Sequence, residues 1–256
     1  MKGKIGGVSF YKSNGVDLAR VANGPSKEKI SKDPNFKRTR ENNVEFGGCA
    51  TVVKALRLAI GEAKISKADA GLVARMVKLF KEINLNGAGA RGQRSIDLVA
   101  NAVLLQNFEF NTRTSFTSVF NAPYSIAYPA GRDQATITIS PFLPSSFVNA
   151  PSGATHFRIF AVLCTLSDYN FDAVTGHYSP TDPTIDMLNV EVDSVVTDLS
   201  TLAPVSITLN PVLPGGPTMT ATTAAVLCIG CEFFQRISAI DYLLAQGDCM
   251  RVIKVF

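Results

Sequence analysis

Thr136-Ile137-Thr138-Ile139 alternates polar and apolar residues with period two, the pattern of a strand with one face on a core and the other in water. Val205-Ser206-Ile207-Thr208-Leu209 repeats it. Around these lie further short β-rich runs at 115–120, 124–128, 135–140, 156–166, 188–196, 224–234 and 250–256, separated by turn clusters at 128–131, 141–144 and 211–217. Such a series without intervening helical patterns predicts an antiparallel β-sandwich, immunoglobulin-like or jelly-roll-like, over residues 108–256.

Upstream the period changes. Ile5, Val8, Phe10 and Tyr11, then Val16, Leu18 and Val21, flank Ser13-Asn14-Gly15, and Asn-Gly is the strongest short hairpin signal. A β-hairpin over 4–22 is expected, and because an isolated hairpin is marginal in water it must pack on something. Asp33 followed by Pro34 predicts a helix from about residue 34, with a break or bend at Gly47-Gly48 before Val52, Val53, Leu56 and Ile60 resume one stripe. Ser66-Lys67-Ala68-Asp69 resembles a capping box ahead of Leu72, Val73, Met76, Phe80 and Ile83, and residues 93–106 read as a further helix through Ile96, Val99, Val103 and Leu104. The expected organisation is α+β: a basic hairpin, arm and helical region at 1–107, then the sandwich.

Charge follows the same division. Residues 1–100 hold 19 Lys+Arg against 9 Asp+Glu, and residues 101–256 hold 6 against 12. Such a polar chain can bind a polyanion with its front, or dock its front on the back of a neighbouring copy. Lys27, Lys29, Lys32, Lys37, Arg38 and Arg40 gather beside Phe36, but Glu28, Asp33, Glu41 and Glu45 are interspersed and no nucleic-acid recognition signature accompanies them, which favours protein contact over phosphate. The start is basic but lacks the apolar core of a signal peptide, and no run approaches the ~18 apolar residues of a membrane helix. The expectation is synthesis in the cytoplasm without membrane insertion, with lysis or dedicated export needed for any presence in extracellular particles or filaments.

The catalytic and metal signals are sparse. Cys228-Ile229-Gly230-Cys231 matches C-x-x-C, but in a strand residues three apart face opposite sides, so core packing is expected for it as for the other three of the five cysteines. Gly87-Ala88-Gly89-Ala90-Arg91-Gly92 fits G-x-G-x-x-G without the strand that a dinucleotide site needs before it, and reads as an interhelix loop from which Arg91 and Arg94 could hold an anion or another subunit's carboxylate. His156 and His177 have no nucleophile or metal-ligand spacing beside them. The carboxylates between Asp168 and Asp198 show no calcium-loop pattern and read as a solvated acidic face. Neither a cofactor nor enzyme activity is expected.

At residues 3–11 (GKIGGVSFY) and 33–48 (DPNFKRTRENNVEFGG) the chain resembles an uncharacterised family of bacterial proteins of similar length, which open with a comparable hairpin and carry a similar D-P-x-F-x-R-T-R-E-N-x-x-E-F-G stretch. The similarity extends loosely through 89–94, 107–111 and 154–158. It implies a single unit made of the basic front and the β-rich back, and brings no activity with it.

The reading that unites these features is a structural protein assembling head to tail with copies of itself into a filament, tube or shell. Phe10, Tyr11, Phe36 and Phe46 are its candidate apolar anchors, and Arg38, Arg40, Arg91 and Arg94 its candidate partners for Asp186, Glu191, Asp193 and Asp198 on the next copy. The alternatives are a nucleic-acid-associated protein using residues 27–67 on phosphate, and a ligand-binding β-sandwich.

Overall fold

A computed structural model describes residues 3–13, 15–21, 24–65, 68–244 and 246–256. The chain forms two units, Met1–Asn43 and Val44–Phe256. The first holds an antiparallel meander of β1 (Gly3–Ile5), β2 (Val8–Ser13) and β3 (Val16–Val21), one strand more than the expected hairpin. Gly6 takes the left-handed φ of +56° that reverses the chain between β1 and β2, while Asn14 lies outside the described residues. Then come α1 (Lys27–Lys32), capped by the Ser26 side chain on Lys29 N, and a 3-10 turn at Pro34–Phe36, capped by Asp33 on Asn35 N.

Helix α2 (Lys37–Ile60) begins in this unit and continues unbroken through Gly47-Gly48, where a break or bend was expected. A Cβ on Gly48 would overlap the Tyr178 ring, so this glycine permits close packing and does not end the helix. After α3 (Glu62–Ile65), α4 (Leu72–Asn86) starts later than the capping-box reading implies. Ser66 and Lys67 of that box lie outside the described residues, and Asp69 instead accepts from Gly71 N. The expected helix over 93–106 shrinks to α5 (Ala102–Leu105), because Ile96 pairs as a β-bridge with Tyr169 and enters the core from extended backbone. The expected strand at 115–120 is α6 (Phe116–Val119), whose start Ser115 caps by accepting from Ser118 N.

The rest of the chain is mostly β: β4 (Tyr124–Ala127) and β5 (Thr136–Phe142), helix α7 (Pro144–Phe147), then β6 (His156–Ser167), β7 (Tyr169–Asp172), β8 (His177–Pro180), β9 (Asn189–Asp193), β10 (Thr197–Asp198), β11 (Val205–Leu209), β12 (Thr223–Ile237), β13 (Ile240–Leu243) and β14 (Cys249–Val255). All of its sheets are antiparallel. The long strands β6 and β12 pair from Ser167 with Thr223 to His156 with Phe234 and form the centre of the largest sheet. Strands β9 and β10 flank β6, and β14 and β13 flank β12.

This central sheet is covered on both faces, which is why β6 and β12 read as continuous apolar runs without alternation. Phe160, Val162, Cys164 and Leu166 pack with Val52, Leu56, Met76 and Phe80 of the helices. Phe157, Ile159, Ala161 and Leu163 pack with Ile137, Ile139, Ile207 and Leu209 of the small sheet ordered β11-β5-β4. The helices of residues 44–107 therefore share a core with the strands, and packing divides the chain after Asn43, not at the compositional break near 107. The two sides of the central sheet end differently. Beyond β14, Asn107 N and Phe110 N donate to Val252 O and Met250 O, and Val252 N donates to Phe108 O, so residues 107–110 seal that strand. Beyond β9, no further strand pairs among the described residues.

Candidate interaction surfaces

In the first unit each described strand side chain is exposed or half-buried, and α1 and the 3-10 turn bury none. Register places Ile5, Val8, Phe10, Ala19 and Val21 on one face of the meander and Ser9, Tyr11, Val16, Leu18 and Arg20 on the other. Within the unit's described residues no second layer covers either face, and Ile5 and Val21 keep 65% and 64% of their surface. Arg20 lies over the Tyr11 ring on the other face, 5.7 Å from its centroid. The unit's 10 Lys+Arg against 4 Asp+Glu give it a net charge of +6. Of the expected docking residues there, Phe10 and Phe36 are half-buried, Tyr11 is exposed and Arg38 pairs with Glu41 at 2.9 Å. Arg40 does not project outward as expected of a docking residue: it donates to the carbonyls of Ile30 and Asp33, tying off the end of α1.

In the second unit the basic residues of the glycine loop divide. Arg91 is exposed, as is Phe46 on α2. Arg94 does meet a carboxylate, but its own chain's: its Nε lies 3.1 Å from Oε1 of Glu45, which is fully buried on α2. The same oxygen accepts from Gly92 N at 2.7 Å, and Lys81 Nζ binds Oε2 while also donating to Asn84 Oδ1 at 2.7 Å. Asn84 Nδ2 and Tyr178 OH both donate to Arg94 O at 2.8 Å. Burial pushes the Glu45 carboxyl up, but the Lys81 and Gly92 hydrogen bonds and the two neighbouring cations hold it below its ordinary value. The loop's glycines serve this clasp: Gly92 has φ +94°, Gly89 φ +110°, and a Cβ on Gly87 would overlap Ser95 O.

A second charge cluster lies on the helix-covered face of the central sheet. Arg158 and Glu232 are cross-strand partners joined by a forked ion pair. Lys64 Nζ sits 2.7 Å from Glu232, 2.9 Å from Glu191 and 3.9 Å from the Phe160 ring centroid, and Arg158 reaches Asp193 at 2.8 Å. Phe160 lies across Gly230, where a Cβ would overlap its ring. This cluster lies beside the open side of β9, which carries Glu191 and Asp193.

The expected solvated acidic face is therefore only partly so. Asp186 is buried, accepting from Ser167 N at 2.8 Å and Tyr169 OH at 2.6 Å, and is not placed to meet another copy. Asp168 is buried too, and desolvation, with Asp97 and Asp182 nearby, pushes it up to about 6 despite the Val99 N–H. Asp182 is spent on the hydroxyls of Thr220, Thr222 and Thr223. Glu191, Asp193 and Asp198 remain exposed, the last accepting from Ser200 N.

All five cysteines are buried, and Cys228 and Cys231 fall in the two opposite cores, as strand geometry requires. His156 is buried beside Thr155 Oγ1 at 2.9 Å, and His177 is exposed. A groove of about 710 Å³ is lined by amides and hydroxyls including Asn111, Thr114, Ser118 and Asn149, with Arg113 and Asp248. Glu45, Lys64, Arg158 and Glu232 were not singled out from sequence. The available signal was an Arg and a Glu inside the apolar runs of two strands, and a Glu near a helical stripe. No family model, curated protein or solved structure matches this chain.

Proposed function

We propose that this chain is a non-enzymatic structural subunit that assembles head to tail with copies of itself, its basic first unit docking on a neighbour, into a filament, tube or shell. One observation carries the reading: the first unit has strands and a helix but no buried side chain among its described residues 3–43. Ordering backbone costs roughly 1–2 kcal/mol per residue, and a sheet without a buried face offsets little of that. Covering Ile5, Val8, Phe10, Ala19 and Val21 supplies the missing term at roughly 25 cal/mol per Å². A heterologous contact of this kind repeats until its rotation closes. We read the packing of the central sheet on the β4-β5-β11 sheet as a sandwich, the rigid body of the subunit.

The nucleic-acid alternative draws on the exposed Lys27, Lys29, Lys32 and Lys37. It is weakened because Lys32, Arg38 and Arg40 have partners within the unit. The test is sedimentation velocity and electron microscopy of the full chain across a salt series, beside Ile5→Lys/Val21→Lys. Large species are expected for the parent and a monomer for the variant. A parent that stays monomeric at high concentration and low salt overturns the proposal, and salt-sensitive retention of nucleic acid by that monomer would favour the alternative.

A further inference from the structure

The self-assembly reading leaves open where the first unit lands, and the open side of β9 offers a specific answer. Thr165 N donates to Leu188 O, and Ser194 N donates to Ile159 O. With the register between them, antiparallel alternation makes Val190 and Val192 the residues that bond inward to β6. The N–H and C=O groups of Asn189, Glu191 and Asp193 therefore point away from the sheet, on a side where no strand among the described residues pairs. An edge of this kind is a template for a further strand.

The two faces of β9 differ. Leu188, Val190 and Val192 are half-buried along the core shared with the small sheet, whereas Asn189, Glu191 and Asp193 are exposed on the opposite face, the two acids beside Lys64 and Arg158. Strand β3 sets Val16, Leu18 and Arg20 on one face and Asp17, Ala19 and Val21 on the other. Any pairing that sets Arg20 beside Glu191 or Asp193 carries Ala19 and Val21 to the side of Val190 and Val192, because successive residues alternate. A slip by one residue sets Asp17 on the Glu191 and Asp193 face instead. Lengths agree as well, six residues in β3 against five in β9, whereas β1 has only three. Net charge adds to this, +6 on the first unit against 15 Lys+Arg and 17 Asp+Glu on the second.

We propose that β3 of one copy adds to the open side of β9 of another, extending the central sheet by the meander, with Arg20 on the Glu191 and Asp193 face. This rests on the self-assembly reading and names its acceptor. The experiment uses full-length chains. Asn189→Pro removes an outward N–H while sparing the inward ladder, and Arg20→Glu reverses the donor's charge. Each is expected to weaken association about tenfold or more in sedimentation, roughly the effect of losing 1.4 kcal/mol. An equimolar mixture of the two variants retains one sound donor and one sound acceptor, and is expected to stop at pairs.

Should Asn189→Pro lose its native circular dichroism, a mixture of Leu18→Cys and Asn189→Cys chains replaces it. A short bismaleimide is expected to link these into an adduct of twice the chain mass, against native thiols that are all buried. Undiminished assembly of folded Asn189→Pro, or absence of the adduct while the parent assembles, overturns the β9 acceptor and leaves self-assembly standing. A parent that never assembles removes both.

Discussion

Replacing Glu45 by Gln changes one oxygen for an amino group at the point where α2, α4 and the glycine loop meet. Gln can still accept from Gly92 N through its remaining oxygen. Its amide N–H₂, however, then faces the Lys81 ammonium, donor against donor, and neither Lys81 nor Arg94 keeps a counter-charge. Removing one partner of a buried pair costs about 3–5 kcal/mol. Lys81 and Arg94 retain 25% and 18% of their side-chain surface, and Lys81 keeps Asn84 Oδ1, so the lower end of that range applies, about 3 kcal/mol. Against a domain stability of about 5–15 kcal/mol this is readily measured by urea denaturation followed by circular dichroism. The pH dependence has a definite sign. A carboxyl held below its ordinary 4.5 contributes stability that is present above that value and lost as pH falls through the folded-state value. The difference between parent and Glu45→Gln should therefore be level from pH 7 to 5 and shrink below about 4.5. A difference under about 1 kcal/mol at pH 7, or one that does not shrink in acid, would refute the clasp as the reason for this residue.

Gly230→Ala should cost about 3 kcal/mol, the upper part of the overpacking range, because the new methyl overlaps the Phe160 ring and comes within 2.6 Å of the Cys249 carbonyl oxygen, which is backbone. Denaturant midpoints would show it, and a loss that Phe160→Leu in the same chain does not partly relieve would contradict the ring-over-glycine geometry. Asp168 acts with the opposite sign to Glu45. Its folded form keeps a proton between 3.8 and about 6, so its contribution falls as pH rises through that window, and Asp168→Asn should stabilise above pH 6. After discounting for solvent screening the gain is about 1–2 kcal/mol. Melting temperatures at pH 5 and 7.5 that shift equally in parent and variant would dismiss it.

Strands whose outer face meets water were legible, as at Thr136–Phe142 and Val205–Leu209, because solvent on one side imposes alternation. Strands β6 and β12 were visible only as apolar runs. Nothing local reveals that helices cover one face and a second sheet the other. The stripe Ile96, Val99, Val103 and Leu104 matched a helix by spacing, yet Val103 is 73% exposed while Ile96 and Leu98, two apart, are buried, as extended backbone would place them. The β-favouring residues of 115–120 matched a strand, whereas Ser115 caps a short helix there. Glu45 was illegible for a different reason: its partners Lys81, Gly92 and Arg94 stand 36 to 49 positions away, and only the folded chain brings them together. The docking set divides along the same line. Arg40, Arg94 and Asp186 are consumed by contacts that spacing could not foresee, whereas Glu191 and Asp193, though paired with Lys64 and Arg158, stay exposed on an edge strand whose alternation could be read.

The seal that residues 107–110 place on β14 makes that strand inert towards outside chains. Backbone pairing cannot extend the sheet past β14, where Asn107, Phe108 and Phe110 already occupy the ladder. An unpaired strand margin is a ready template for indiscriminate pairing. Loosening the seal, for instance by Phe110→Pro, would remove the hydrogen bond from Phe110 N to Met250 O and offer β14 as such a template.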